Sequence, residues 1–594
     1  MDTPKASIPP ALHGALANEQ EERLALANGF IEGHPDSPLG WQALGFALLL
    51  AGRTSQAAPA LQRALDLGSA DLDVHEALGL ALKSLGQLEA ALETFQRLVA
   101  IKPDHPAGHN NLGNILLDLN RPEEALASYA KALELKPDSA QTHNNMGCIL
   151  LSVGRLAKAR ESFARALAIA PDYAAAHNNL GTALKELGLF EEALASYLKA
   201  LEINPDFPEP LSNLGTFLKD MGRMDSAFEC WAKALKLRPD FVDAHSNMAT
   251  AFCEQGRFAQ AFECYAKALE HGPNNADIRT NYAMALLATG NFADGWREYE
   301  HRLRIGKRGR PKRRFAAPRW QGQDLSGKTL LIHAEQGFGD TMQFCRYAAL
   351  AGQRGARVVL EVQAPVLRLL GSLAGVSELA VQGGPVPASD FHIPMLSLPG
   401  AFGARIDNIP YSEGYLGAGQ ADIEAWRRKL AHVPSSLKRV GLAWSGGLHE
   451  FSYDGLMTDK RRSIGPETLG PLFAAPDIYF VSLQKDGPKA PRHFPLFDPM
   501  ADCQDFADTA GLIMNLDLVL SVDTAVAHLA GALGKPVWLL NRLDSCWRWQ
   551  RESPSTPWYG SMRIFHQKSR GDWAGVLERV KDALGSFAPE RPAT

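Results

Sequence analysis

Along the first half of the chain, small and apolar positions recur every 34 residues. Gly45, Gly79, Gly113, Gly147, Gly181, Gly215, Ala249 and Ala283 share one register. Ala57, Ala91, Ala125, Ala159, Ala193, Ala227 and Ala261 share a second, and Pro103, Pro137, Pro171, Pro205, Pro239 and Pro273 a third. A helical hairpin accounts for all three. Small residues let two helices approach closely, and the Pro-Asp step is expected to stop the second helix and cap the next. The pattern predicts eight helical pairs over about 37–300, preceded by a less regular helical piece.

After Tyr299 the period ends, and short apolar runs alternate with helical stretches. Runs at 329–334, 357–362 and near 390–393 predict strands, with helices at 341–351 and 421–430. A second series of strands, 439–444, 478–484, 516–521 and 537–540, alternates with helices at 466–473, 506–514 and 524–533. The fold class expected is multidomain: an all-α solenoid over 1–300, a basic linker over 301–326, and two Rossmann-like α/β halves over 327–435 and 436–594. A cleft is expected between the halves, with strand carboxyl ends facing it.

Composition narrows the function. With 594 residues the chain exceeds one ordinary core, and 46% apolar and 21% charged residues fit a globular protein. A net charge of −5 gives no sign of nucleic-acid binding. Apolar stretches are too short to span a bilayer and the start carries no secretory pattern, so a cytoplasmic location without an integral membrane segment is expected. The seven scattered cysteines include no C-x-x-C pair, which argues against a disulfide scaffold or a thiolate zinc site.

Two features of the join invite other readings. Arg302, Arg304, Lys307, Arg308, Arg310, Lys312, Arg313, Arg314 and Arg319 make it basic, but without interleaved aromatics a solvated linker against acidic solenoid surface is the expectation. Residues 322–329, GQDLSGKT, fit the phosphate-loop spacing. That loop must follow a strand and open a helix, whereas Thr329 begins an apolar, strand-like run, so an ATPase is not expected.

Within the repeats, His75, His109, His143, His177 and His245 recur singly, which suits packing better than metal ligation. Asn111, Asn145, Asn179, Asn213, Asn247 and Asn281 occupy the sixth position of successive repeats. A side-chain amide donates and accepts as a peptide bond does, so a ladder of them can hold an extended peptide by its backbone; alternatively the amides brace one repeat against the next.

The ends of the α/β strands carry the candidate chemistry. Asp523-Thr524-Ala525 follows a strand and opens a helix, where free N–H groups and the Thr524 hydroxyl suit a phosphate. Gly337 and Gly339 permit a tight turn after the first strand, and Asp340 stands at the next helix start, as a cleft carboxylate or a simple cap. Lys460, Arg461 and Arg462 are expected in a loop, where a cation neutralises a diphosphate. Gln484 and Lys485 end the next strand at the same edge.

The period and small-residue pattern resemble the tetratricopeptide repeat, and the asparagine column is similar to the ladder of O-GlcNAc transferase repeats, which bind acceptor polypeptide. Residues 329–585, with GFGDTMQF and SVDTAVAHLAGALGKPV, resemble glycosyltransferase family 9, the heptosyltransferase-like enzymes of the GT-B fold. That resemblance implies Asp340 as catalytic base, Arg462 on the donor phosphates, Asp523 and Thr524 on donor sugar and pyrophosphate, and His528 as the family's histidine in that helix. Ala525 stands where the family has glycine, and the first half is short. The expected function is an inverting transferase using a nucleotide-diphosphate sugar as substrate, with no cofactor. No metal is expected, because no D-x-D pair ends a strand of the second half. The acceptor expected is a polypeptide hydroxyl. The alternatives are a repeat scaffold with a degenerate GT-B domain, or a transferase acting on a lipid-linked or cell-envelope glycan.

Overall fold

The structure is a computed structural model that describes residues 10–305, 313, 315–447 and 453–589. Eight helical pairs follow an initial helix, Pro10–Gly33, running from Pro38–Leu50 with Thr54–Asp66 to Ala276–Ala288 with Phe292–Tyr299. The chain forms two compact units, residues 1–213 and 214–594, so the last repeats belong with the α/β region.

The small-residue register is a packing requirement. A Cβ on Gly79 would lie 2.5 Å from the Phe95 ring, on Gly113 2.6 Å from Tyr129, on Gly147 2.6 Å from Phe163, and on Gly215 2.6 Å from Trp231. Between the two helices of each pair the chain enters the left-handed region, at Gly86, Gly154, Gly188 and their equivalents, with Asn120 (φ 57°) the one non-glycine of the series. There the second N–H beyond the helix reaches back to its last turn, as Arg155 N does to Leu150 O (2.7 Å), the bonding of a Schellman cap.

The Pro-Asp step works differently from expectation. The N-cap is the residue after the Asp: His105, Ser139 and, at the last step, Asn275 two residues after Pro273 accept first-turn N–H bonds. The recurrent histidines hold this turn. His109, His143, His177 and His245 each place Nε2 2.8–3.0 Å from the carbonyl oxygen of the proline six residues before. In the last repeat Arg279 Nε donates to Pro273 O at 2.6 Å in their place.

The α/β region contains two parallel sheets. In the first, β1 (Thr329–His333), β2 (Arg357–Val362), β3 (Glu378–Val381) and β4 (Phe391–Pro394) run in the order β3-β2-β1-β4. In the second, β5 (Lys438–Ala443), β6 (Ile478–Ser482), β7 (Leu496–Phe497), β8 (Leu518–Val522), β9 (Val537–Asn541) and β10 (Met562–His566) run in the order β10-β9-β8-β5-β6-β7. Each sheet reverses its winding once, between β1 and β4 and between β5 and β8, which opens a crevice at their carboxyl ends. The fold is therefore a helical solenoid followed by two Rossmann-like halves. Because Thr329 opens β1, GQDLSGKT precedes a strand and not a helix.

Three local expectations need correction. The helix after β1 is two pieces, Phe338–Phe344 and Arg346–Gln353, separated at Cys345. Lys460, Arg461 and Arg462 close a helix, Tyr453–Arg462, which forms because Tyr453 and Met457 bury one of its faces. The linker is not simply solvated: Arg302 is buried, its Nη2 donating to Glu335 Oε1 (2.6 Å) and Ser397 Oγ (2.9 Å), its Nη1 to Tyr299 O (3.1 Å). Arg319 pairs with Glu300 and Arg313 with the buried Glu361, while Lys307, Arg308, Arg310, Lys312 and Arg314 lie outside the described residues.

The last repeat shares its core with the α/β region: Ala283, Leu287, Phe292, Trp296 and Tyr299 join one cluster with Phe344, Trp547 and Trp558. Arg346, fully buried, ties this region together without a carboxylate. Its donors reach Gln343 O (2.8 Å), Pro410 O (3.2 Å), Trp558 O (2.9 Å) and Tyr415 Oη (3.0 Å), and its guanidinium lies 4.3 Å from the Tyr415 ring. Burial pulls its pKa down, but Tyr415 and Tyr559 outweigh that and hold it above the ordinary value.

Candidate functional site

The loop after β1 leaves at the winding reversal of the first sheet and turns into helix Phe338–Phe344 with Gly337 as N-cap. Asp340, at the third helical position, accepts the Gly337 N–H on Oδ2 at 3.2 Å and a donor from Arg548 Nη2 on Oδ1. The carboxylate is thus both a cap and one half of an ion pair. The glycine next to it has a packing role: a Cβ on Gly339 would lie 2.8 Å from His528 Cδ2, so helix Phe338–Phe344 can lie close on helix Ala525–Ala532 of the second half. Gly337 has open space, its Cβ meeting Asp340 Oδ2 at 3.7 Å.

The second helix start is at the reversal of the second sheet. β8 ends at Val522, Thr524 is the extended N-cap, and Ala525 opens the helix. The Thr524 hydroxyl lies 3.1 Å from Ser521 Oγ. A helix cannot satisfy its own first N–H groups, so this terminus offers donors and a positive partial charge to the crevice. His528 lies one turn in, buried, with Nδ1 2.9 Å from Tyr559 Oη and its ring 5.2 Å from that of Trp549; Asp523 Oδ1 is 4.0 Å from Nε2. Burial, aided by Arg548, Arg346 and Arg462 and opposed by Asp523, pulls the His528 pKa down to about 3, so the ring is neutral.

A cavity of about 310 Å³ opens here, between β5 and helix Ala525–Ala532 on one side and Phe338 and Pro365 of the first half on the other. Thr524, Ala525 and Val526 line it with Lys485, Phe506 and Met500, so a polar helix terminus faces an apolar wall. Gln484 also lines it, but as a brace for the loop after β5. Its Oε1 accepts from Trp444 N (3.0 Å) and Ser445 N (2.9 Å), and its Nε2 donates to Ser445 O (3.1 Å) and to Asp486 O. Lys485 Nζ donates to Cys503 O. Arg462 pairs with Asp459 beside the Ser445–Gly446 turn, where a Cβ on Gly446 would meet its Nη2.

The structure therefore brings Gly337, Gly339, Asp340, Asp523, Thr524, Ala525 and His528 together around the facing helix starts, and gathers Gln484 and Lys485 at the cavity's edge. Arg548 is a candidate site residue that the reading of strand ends misses. It rests 4.5 Å over the Trp547 ring and donates to Gln343 Oε1 at 2.6 Å as well as to Asp340. Burial lowers its pKa, but Cys546, Asp340 and Tyr299 outweigh that and keep it raised. The neighbouring tryptophans in WRW were the available signal.

In the first unit the asparagine column has a defined bonding pattern. Asn111 Nδ2 donates to Glu76 Oε1 (2.9 Å), Asn145 to Asn114 Oδ1 (3.2 Å), Asn179 to Asn144 Oδ1 (3.0 Å) and Asn213 to Asn178 Oδ1 (2.9 Å). Each amide donor thus reaches the preceding repeat. Asn247 and Asn281 are likewise half-buried, on helices Val242–Glu254 and Ala276–Ala288 of the second unit. Among the described residues no cluster of His, Cys, Asp or Glu could hold a metal, and no helix is long and apolar enough to cross a membrane.

The class follows from this architecture: a tetratricopeptide-repeat protein with a parallel α/β region behind the repeats. Sequence models of the tetratricopeptide repeat match residues 43–106, 76–140, 138–206 and 252–295, and a model of YpiA-like, C-terminal tetratricopeptide repeats matches 175–240. Protein FlbA of Caulobacter vibrioides is a relative, 26% identical over 323 residues, 49% of this chain and 52% of that protein. The chain thus spans about half the length of this curated relative. Among solved structures, TTC0263, a thermophilic TPR protein of Thermus thermophilus, is 28% identical with a TM-score of 0.29, covering 31% of this chain and 100% of its own. Pseudomonas aeruginosa pilF is 21% identical with a TM-score of 0.32, covering 36% of this chain and 99% of its own.

Proposed function

We propose that the α/β region is a glycosyltransferase of the GT-B kind, moving a sugar from a nucleotide-diphosphate sugar to a hydroxyl of a polypeptide held by the repeats. The observation that carries the reading is the cavity at the winding reversal of the second sheet, bounded by the Thr524–Val526 helix start and closed by Phe338 of the opposing half. A diphosphate suits that terminus, with Lys485 at the edge and Arg462 beside the Ser445–Gly446 turn; a nucleoside suits the apolar wall of Met500 and Phe506. Asp340 lies two residues beyond Phe338 and is the candidate base. His528, neutral and buried, supports the helix rather than exchanging protons.

For the acceptor, Asn111, Asn145, Asn179 and Asn213 spend their amide donors on the preceding repeat, and an amide carbonyl oxygen has two lone pairs with which to accept a main-chain N–H. The bracing bonds favour a second reading of the column, as a structural seam, and the two roles are compatible in one side chain. The test is a panel of UDP-glucose, UDP-N-acetylglucosamine, GDP-mannose and ADP-glucose with the purified chain. A bound donor at a hundred times its dissociation constant raises stability by about 2.7 kcal/mol. Asp340→Asn is expected to lose roughly a hundredfold in turnover with unchanged donor affinity, within the range of a general base. Full activity in that variant moves the base elsewhere; a panel with no stabilisation and no product removes these four donors and, with them, the evidence for transfer.

A further inference from the structure

The connection between β9 and β10 is long, and it touches all three parts of the second unit. Trp547 sits edge-on to Trp296 of the last repeat, with ring centres 5.4 Å apart. Arg551 Nη1 donates to Glu254 O, at the end of a repeat helix, at 2.8 Å. Tyr559 packs where a Cβ on Gly531 would lie, 2.6 Å from its ring. Between these anchors Arg548 reaches into the first half. Its guanidinium is clamped by Gln343 Oε1 and by Cys546 Sγ (3.2 Å), lies over Trp547, and delivers Nη2 to Asp340 Oδ1.

We infer that Arg548 is the positioning residue for Asp340. The inference rests on the reading of Asp340 as the base. Gly337 N–H holds one carboxylate oxygen and Arg548 the other, so the plane of the carboxylate is fixed at both ends. In the transfer step the acceptor oxygen bonds to the anomeric carbon and its proton passes to Asp340. The bond from that carbon to the diphosphate breaks, and its electron pair leaves with the diphosphate. A carboxylate free to rotate presents its lone pair to that hydroxyl part of the time, and small misplacements of a catalytic group cost up to about a hundredfold. Because Arg548 is held from the last repeats as well as from the first half, the geometry of the base depends on a segment remote from it in sequence.

The experiment is a double-mutant cycle on the full chain, using whichever panel donor the wild type turns over. Variants are Arg548→Gln, Asp340→Asn and the pair, in which both charges go and no buried charge is left unpartnered. Arg548→Lys keeps the cation without the fork. Expected are a loss of roughly tenfold or more in kcat for Arg548→Gln at unchanged donor KM, partial recovery in Arg548→Lys, and no further loss when Arg548→Gln is added to Asp340→Asn. Additive losses in the pair, or a rise in donor KM that accounts for the whole effect, overturn the positioning role while leaving the transferase reading intact. A wild type that turns over no panel donor overturns both.

Discussion

Replacing Arg346 probes what a buried cation without a carboxylate does for this fold. Four donors leave the guanidinium for Gln343 O, Pro410 O, Trp558 O and Tyr415 Oη, joining helix Arg346–Gln353 to two segments far along the chain. Hydrogen bonds from a charged group contribute about 1.5–3 kcal/mol each, so the four total about 6–12 kcal/mol. Against this stands the desolvation of the ion, several kcal/mol after relaxation. Arg346→Met removes both terms and takes the donor from the Pro410 and Trp558 carbonyls, while Gln343 O keeps the Tyr415 hydroxyl at 3.3 Å, for an expected net loss of about 3–5 kcal/mol. Arg346→Lys keeps the charge, but its ammonium cannot span the same acceptors, so a loss of comparable size is expected. Tryptophan fluorescence follows the unfolding directly, since Trp558 supplies one acceptor. With two compact units the melt is not two-state, so the comparison is the midpoint of the transition belonging to residues 214–594. A methionine variant melting at or above the wild type would refute the reasoning and make Arg346 a replaceable filler, as some buried ion pairs are.

Other expectations are simpler to check. His528 and His333 both have pKa values pulled down to about 3 by burial, against an ordinary value near 6.5. The unfolded chain therefore binds more protons between those limits. The second unit should lose stability as pH falls from about 6.5 towards 3, by up to about 1.4 kcal/mol per pH unit for each ring, and His528→Gln should flatten that slope in pH-dependent melts. Asn120→Gly relieves a left-handed non-glycine and should stabilise the first unit by about 0.5–1 kcal/mol, whereas Gly113→Ala, which drives a methyl into the Tyr129 ring, should cost about 1–3 kcal/mol in the same denaturation assay. Changing Asn179, Asn213, Asn247 and Asn281 together to Ala should abolish polypeptide modification while donor hydrolysis persists; loss of both, with a lowered melting point, assigns the column to bracing alone.

The repeats were legible because each contact recurs: the glycine that admits Phe95 or Tyr129 is repeated until the spacing identifies it. The Asp of the Pro-Asp step misled, since it recurs in register beside the helix start while the cap falls on the next residue. The central strands β1, β2, β5, β8 and β9 are buried on both faces and show as continuous apolar runs. β3, β7 and β10 lie at sheet edges, are short or alternate, and leave no such run. Helix Trp573–Ser586 does carry its pattern, with Trp573, Val576, Leu577, Val580 and Leu584 on one buried face, and a search for that spacing finds it. Of the site, the two helix starts were visible as strand-to-helix junctions, but the Arg548–Asp340 pair spans 208 positions and leaves no local trace. Gln484 shows the converse: its place at a strand end was readable, but its hydrogen bonds to the Trp444–Ser445 backbone were not.

The shared core of the last repeat and the α/β region has a consequence for how such a chain can change in length. A repeat array grows or shrinks by duplication and loss of whole units, since each unit contacts its neighbours alone. That freedom holds up to residue 213. Beyond it Phe292, Trp296 and Tyr299 have become part of another fold's interior, and Glu254 and Gly256 are seats for Arg551. The final repeats are therefore fixed in number and sequence by the α/β region, so variation in repeat number is expected within residues 1–213. Relatives of different length should differ there, and a shortened chain for biochemical work should begin before residue 214 rather than at the end of the repeats.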